Sequence, residues 1–300
     1  MKFCCTFSFI HPDHFLELAP LAEAHGWDSV LLSDHVVHPE TIRSRYPYGG
    51  SGERAWTPDT SWPDVWVATG MMAAVTTRLR FMQSVYVLPM RDPFTVAKAL
   101  GTAARMSKHR VSLGLGLGWC EDEFEVLGFD FATRGARADE MVEVMRALWS
   151  GELVEHHGRF FDFGRLSMSP GVGGALPIVV GGISQAAKRR VARLGDGWAP
   201  AYLTVEQVEA GIDEIQALRR QQGLPTPPLS VYTACTDASG MDGWKRMRDA
   251  GVSHAMATPW MLAGAGRAGK VDIRALLHPA PEVVKDGLRR FADEVIAKFV

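Results

Sequence analysis

Apolar runs of period two and period 3.6 alternate along this chain. Lys2 to Ile10 reads as a first strand. Pro12 and Asp13 then open a helix in which Phe15, Leu18, Leu21 and Ala22 recur at helical spacing, and Gly26 ends it. Trp27 to Ser33 is a second strand, so the chain begins strand, helix, strand with short joints. That order implies a parallel pair and a right-handed crossover. The rhythm continues with a helix over Ser61–Val75, a strand over Leu79–Leu88, a helix from Asp92-Pro93 to Met106 and a strand from Val111. Next come a helix over Thr133–Trp149, a strand over Pro177–Val180, a helix capped by Ser184 and running to Leu194, and a short strand over Gly197–Pro200. A helix over Thr204–Gln221, a strand over Leu229–Ala234, a helix over Met241–Ala250, a strand over Val252–Thr258 and a closing helix over Pro281–Phe299 complete it. Eight alternations predict one α/β domain spanning residues 1–300, a (β/α)8 TIM barrel. An open doubly wound sheet has the same local pattern and differs in whether the first and last strands pair.

Three segments interrupt the alternation and read as insertions after strands two, four and eight: Val36–Thr60, Leu153–Ala175 and Trp260–Pro279. Long loops inside a compact domain are usually functional or disordered. The first and third follow strands directly and so belong at the C-terminal face of a barrel, where such enzymes keep their active sites. The first carries Tyr46, Tyr48 and Trp56, with Trp62 just beyond, and is expected to close over a ligand and exclude water.

The stretch Arg110–Gly128, RVSLGLGLGWCEDEFEVLG, stands out. Val111, Leu113, Leu115 and Leu117 hold one phase of a strand, and Gly114, Gly116 and Gly118 hold the other. One face of that strand therefore lacks side chains, and either neighbouring backbone or a flat ligand must approach it closely. The third glycine keeps period two, so this is not the G-x-G-x-x-G of a dinucleotide-binding turn. A polar loop opening with Trp119 and the acidic run Glu121, Asp122, Glu123 is expected to follow.

Charge and composition narrow the function. Lys and Arg total 32 against 34 Asp and Glu, a net charge of −2, which gives no support to a nucleic-acid or membrane-surface role. No apolar run approaches the roughly 20 residues of a membrane helix. Cys4, Cys5, Cys120 and Cys235 form no C-x-x-C pair, which suits a reduced, cytoplasmic protein with structural thiols. The histidines fall in different elements, and no metal site is expected.

Three places could carry chemistry. Asp34-His35 directly follows the second strand; His35 is a candidate proton donor or acceptor, and Asp34 could orient it or bind a ligand hydroxyl. Gln83-Ser84 places two polar residues in a buried strand, where a bulge, a ligand or a backbone hydrogen bond must satisfy them. Gly181-Gly182-Ile183-Ser184 leads from a strand into a helix, a suitable seat for a phosphate, with Lys188, Arg189 and Arg190 within two turns. An ordinary βα loop with a serine cap would look the same.

Taken together, SDHVV at Ser33–Val37, QSVYVLPMRDP at Gln83–Pro93, GLGLGWCEDEFEVLGFDFATRGAR at Gly114–Arg137, PIVVGG at Pro177–Gly182 and RLGDGW at Arg193–Trp198 resemble the luciferase-like monooxygenase superfamily, in particular its coenzyme F420-dependent oxidoreductase branch. The resemblance runs to about the sixth strand and weakens beyond it. It implies a barrel that holds a deazaflavin or flavin at its C-terminal face, and a non-proline cis peptide in strand three, here Ser84-Val85. It further implies cofactor contacts from Asp34, Ser84, Val85, Gly116, Gly118, Gly181 and Gly182, with His35 handling a proton. The implied reaction is hydride transfer between coenzyme F420 and a small organic substrate, by assemblies that are commonly homodimers or larger. FMN in the same barrel would make a monooxygenase instead. Two other classes remain open at this level: a barrel enzyme acting on a phosphorylated substrate without a redox cofactor, and a cofactor carrier without turnover.

Overall fold

A computed structural model describes residues 1–48, 52–54, 56–260 and 278–299. Its strands in chain order are β1 (Lys2–Thr6), β2 (Ser29–Leu32), β3 (Arg80–Gln83), β4 (Tyr86–Val87), β5 (Val111–Gly116), β6 (Val154–His157), β7 (Asp162–Leu166), β8 (Ile178–Gly181), β9 (Gly197–Ala199), β10 (Ser230–Thr233) and β11 (His254–Ala257). The helices are α1 (Phe15–Ala24), α2 (Val65–Ala74), α3 (Pro93–Met106), α4 (Glu121–Val126), α5 (Arg134–Trp149), α6 (Gln185–Leu194), α7 (Val205–Gln221), α8 (Gly240–Asp249) and α9 (Pro281–Glu294). β1 pairs in parallel with β2 on one side and with β11 on the other, Lys2 opposite His254 and Cys5 opposite Ala257. The sheet therefore closes into an eight-stranded parallel barrel, and the open-sheet alternative is excluded.

The alternation along each strand sorts side chains into two layers. Cys4, Leu31, Met82, Val179, Ala199 and Tyr232 meet inside the barrel. Their neighbours, among them Cys5, Val30, Phe81, Leu113 and Val180, pack outward against the helices. Cys4 and Cys5 thus face opposite ways, as adjacent strand residues must. Helix starts follow local chemistry. Asp64 accepts from Trp66 N and Val67 N at 2.9 Å and sets the start of α2 at Val65, later than Ser61. Thr204 and Gln207 form a reciprocal capping box on α7.

The long third strand is interrupted. β3 ends at Gln83, the Ser84-Val85 peptide is cis, and β4 resumes at Tyr86, both pieces pairing with β5. The expected loop over Leu153–Ala175 contains the antiparallel hairpin β6–β7, which lies along α3 and α5 through Phe163 on Phe94 and through Glu140, whose carboxylate accepts from the backbone of Arg159, Phe160 and Phe161. Of the Trp260–Pro279 insertion, residues 261–277 lie outside the described residues.

One carboxylate ties α1 to the approach of β3. Glu23 accepts from Thr77 N at 2.8 Å, Arg78 N at 2.6 Å, Leu79 N at 2.7 Å and the Thr77 hydroxyl. Burial alone would raise its pKa, but these hydrogen bonds win and hold it near 2 against an ordinary 4.5. Its folded value is depressed, so the stabilisation is present above pH 4.5 and is lost as pH falls toward 2. At this half-buried, solvent-screened site we expect about 1–2 kcal/mol. Thermal melts at pH 2 and pH 7 should therefore show Glu23→Gln destabilised at pH 7 and close to the parent at pH 2; a constant gap at both would refute the assignment.

Candidate active site

The barrel mouth is built around the Ser84-Val85 bulge. A Cβ at Gly114 would sit 1.6 Å from the Gln83 carbonyl oxygen, one at Gly116 2.1 Å from Val85 Cγ2, and one at Gly181 2.8 Å from Val85 Cγ1. The glycine face of β5 therefore admits the neighbouring strand. Of the two occupants open from the sequence, backbone or flat ligand, the chain's own bulge takes that place. Gly116 and Gly181 seat Val85, and Val85 with Ser84 is left partly exposed as the floor of the mouth. Gly118 has φ +79°, which a side chain would disfavour, and packs on Val87 and Phe124.

Hydroxyls line one edge of this floor. Thr6 Oγ1 lies 2.9 Å from Ser8 Oγ, which lies 2.6 Å from Ser33 Oγ, and Ser33 donates toward the Ser84 carbonyl at 3.4 Å. At the opposite edge, Gly182 takes φ +107° and leads into α6, where Ser184 accepts from Ala187 N at 3.2 Å as the cap. The backbone N–H groups of Gln185 and Ala186 begin this helix, a suitable seat for an anionic group. The expected extra charge is largely committed elsewhere: Lys188 binds Glu214, and Arg190 binds Asp139 and the Gly135 carbonyl. Arg189 remains exposed.

Asp34 and His35 face different partners. Both Asp34 oxygens meet the Arg91 guanidinium at 2.7 Å, and Oδ2 also accepts from Val87 N at 2.8 Å. Burial pushes the Asp34 pKa up, while the guanidinium and the N–H oppose that rise. Asp34 thus pins β4, the strand after the bulge, and does not orient His35. That task falls to Glu123, on the first turn of α4. His35 Nδ1 lies 2.7 Å from Glu123 Oε2, and Oε1 accepts from Val36 N at 3.0 Å and Val37 N at 3.4 Å. Burial would raise the Glu123 pKa, but the His35 bond and the two N–H groups carry it below the ordinary carboxylate value. An ionised carboxylate only accepts, which assigns the Nδ1 proton to His35 and leaves Nε2 to take up or release a proton.

The Val36–Thr60 segment is tied over this pair. Asp122 accepts from Arg43 N and Nε, both at 3.1 Å, and from Ser44 N at 3.0 Å and Oγ at 2.7 Å, bonds that set its pKa well below the usual range against the effect of burial. Arg43 also bonds Glu125. Trp62, Trp56 and Trp119 surround the His35 ring at centroid distances of 5.0, 5.2 and 6.2 Å, and Tyr46 packs on Trp56 and Trp119. Tyr48 stacks on Tyr202 at 5.5 Å. The acidic run read as a loop is thus a helix start whose carboxylates anchor the lid. Asp122→Asn should loosen it, raising proteolytic cleavage within residues 36–60 several-fold; unchanged cleavage would mean the anchor lies elsewhere.

Among the described residues, no group of three or more His, Cys, Asp or Glu side chains is placed to hold a metal ion, and no helix is long and apolar enough to cross a membrane.

Comparison with known proteins places this arrangement. Residues 5–299 match the family of luciferase-like monooxygenases. An uncharacterized protein of Mycobacterium tuberculosis is 34% identical over 287 residues, 95% of each chain. An F420-dependent glucose-6-phosphate dehydrogenase of Nocardia farcinica is 31% identical over 193 residues, covering 62% of this chain and 52% of its own. An FMNH2-dependent dimethylsulfone monooxygenase of Pseudomonas fluorescens is 27% identical over 208 residues, 68% of this chain and 52% of its own. Among solved structures, an F420-dependent secondary alcohol dehydrogenase in complex with an F420-acetone adduct superposes with a TM-score of 0.74 at 16% identity over 99% of this chain and 98% of that one. The monooxygenase RslO1 of Streptomyces bottropensis gives 0.72 at 21% identity over the full length of both. The chain belongs to the luciferase-like monooxygenase family.

Proposed function

We propose that this protein is an F420-dependent oxidoreductase that passes a hydride between the deazaflavin and a small organic substrate. The observation that carries the reading is the His35–Glu123 pair, closed under an aromatic lid beside a barrel mouth floored by the Ser84-Val85 bulge. The residues present fit a tricyclic cofactor with a phosphate-bearing tail. Val85 offers an apolar floor for the ring, Ser8 and Ser33 offer hydroxyls to a polar edge, and Gly182 with the start of α6 offers N–H groups to a phosphate. When bound, that group would accept the hydride from the substrate or, in the reverse direction, supply it.

The chain's own part is proton handling, orientation and exclusion of water. Glu123 fixes the tautomer and ring plane of His35. His35 Nε2 takes the proton released as a substrate is oxidised, or returns it in the reverse direction. Trp56, Trp62 and Trp119 keep water from the pair, which strengthens every polar interaction beneath the lid. Asp34 and Arg91 act through the strand that they pin.

The named relatives divide between F420 and FMN, so the decisive test is titration of purified protein with each, followed by absorbance and fluorescence. The proposal expects F420 to bind at least tenfold tighter than FMN and to be reduced or oxidised in a substrate screen. Preference for FMN with oxygen uptake would make the protein a monooxygenase, and binding of neither would refute a redox role.

A further inference from the structure

The ring contacts of the lid run on past His35 and cross the barrel mouth. Trp56 and Trp119 pack on Tyr46 at 5.1 and 5.2 Å, Tyr46 packs on Tyr48 at 5.4 Å, and Tyr48 stacks on Tyr202 at 5.5 Å with the ring planes 14° apart. Burial, and after it the nearby Tyr202, raises the Tyr46 pKa, so that phenol also lies toward Tyr202. Tyr46 and Tyr48 belong to the segment that follows β2, and Tyr202 to the loop that follows β9. Around the closed barrel the order is β1, β2, β3 with β4, β5, β8, β9, β10, β11, so β2 and β9 stand on opposite sides. The segment is therefore a strap fastened on both sides of the mouth. The space left beneath it beside His35 has room for about one water molecule. Anything larger enters there only if the strap lifts.

The two fastenings differ in kind. On the β2 side, Asp122 accepts from the backbone and side chains of Arg43 and Ser44, Arg43 also bonds Glu125, and Ser44 Oγ accepts from Glu121 N at 2.9 Å. Hydrogen bonds to charged groups are the strong ones. On the β9 side the contact is a stack between tyrosines that are 43% and 60% exposed. One aromatic pair shifts an equilibrium only about two- to tenfold. Tyr202 also holds φ +60°, a left-handed backbone that costs a tyrosine more than a glycine. Strain of this kind clusters at ligand clamps and switch segments.

We propose that Tyr202 is the release point of this strap: the β9 end lets go to admit ligand and fastens again behind it, while the Asp122 end stays fixed as the hinge. Tyr202 thus governs access to His35 through Tyr48 and Tyr46, as a positioning residue. The inference goes beyond the function proposed above and holds whichever cofactor the barrel takes.

Hydroxyl-radical footprinting of the purified full-length protein, read by mass spectrometry, tests it without any ligand. Tyr202→Gly removes the ring and takes φ +60° without strain, and Tyr48→Ala removes the other half of the stack at an exposed position. In both, oxidation should rise about two- to tenfold at Trp56 and Trp119, two rings that reach the stack through Tyr46. Tyr202→Phe keeps the stack and should match the parent. The Ser44 N–H, held by Asp122, should keep its hydrogen-exchange protection in every variant. Unchanged oxidation of Trp56 and Trp119, or loss of Ser44 protection alongside it, would overturn the proposal. So would oxidation of the buried core residue Trp198 in both variants, because the stack would then hold the fold and not the strap. Where F420 or FMN binds, Tyr202→Gly should raise its association and dissociation rates by the same factor and leave affinity nearly unchanged. A change in dissociation alone would make Tyr202 a ligand contact and overturn the gate. Absent binding of both cofactors would count against the function proposed above and leave the footprinting result standing.

Discussion

Gly114→Ala should yield little or no folded protein. The added Cβ would lie 1.6 Å from the Gln83 carbonyl oxygen and 2.7 Å from its carbon, both backbone atoms that no rotamer change can move. Ordinary overpacking costs about 1–3 kcal/mol because side chains can give way. Here β3 or β5 must shift as a whole, and the register of Phe81 and Met82 against Val111 and Ser112 goes with it. A loss above about 4 kcal/mol, in the rare tail of single substitutions, is the expected scale. Gly116→Ala should be milder, since its nearest neighbour is the Val85 side chain at 2.1 Å. Gly70→Ala on α2 is the control: nothing lies within 4 Å, and the change should be neutral or stabilise by about 0.5–1 kcal/mol. Soluble yield and thermal melting of the three proteins give the order. A Gly114→Ala protein melting within a few degrees of the parent would show that β3 and β5 do not approach so closely.

What the sequence reveals and conceals here follows from the range of each interaction. Strand and helix periods are local, so the eight βα units and the closed barrel were legible, and the resemblance placed the cis peptide at Ser84-Val85. The glycines of β5 were legible as a close approach, although not the identity of what approaches, because Val85 lies on another strand. Asp34-His35 was legible as a pair and misleading as one. Adjacent residues after a strand point apart, and their partners, Arg91 and Glu123, lie 57 and 88 positions away. Both partners sit inside the quoted motifs, Arg91 in QSVYVLPMRDP and Glu123 in GWCEDEF. The available signal was that a buried, motif-embedded charge needs an opposite charge across the barrel mouth. The hairpin over Leu153–Ala175 was hidden because its strands, VEHH and DFGRL, are half-exposed and lack a continuous apolar phase.

His35→Ala should leave F420 affinity within about threefold of the parent and lower turnover by about 10²–10⁴, the range for losing a positioned proton donor or acceptor. The floor, hydroxyl edge and α6 start would all remain, so binding and chemistry separate in this variant, and a carrier without turnover would show no such split. Glu123→Gln asks how the histidine is set. The amide oxygen can still accept from Val36 N and Val37 N, so the lid stays anchored, but the amide group would present a donor to His35 Nδ1. That favours the tautomer with the proton on Nε2 and should lower kcat with KM little changed, as a wrong tautomer does in other histidine–carboxylate pairs. Glu123→Ala removes both functions and should raise KM as well. Turnover of His35→Ala within threefold of the parent would remove His35 from the chemistry and leave the dyad as an anchor for the loop above it.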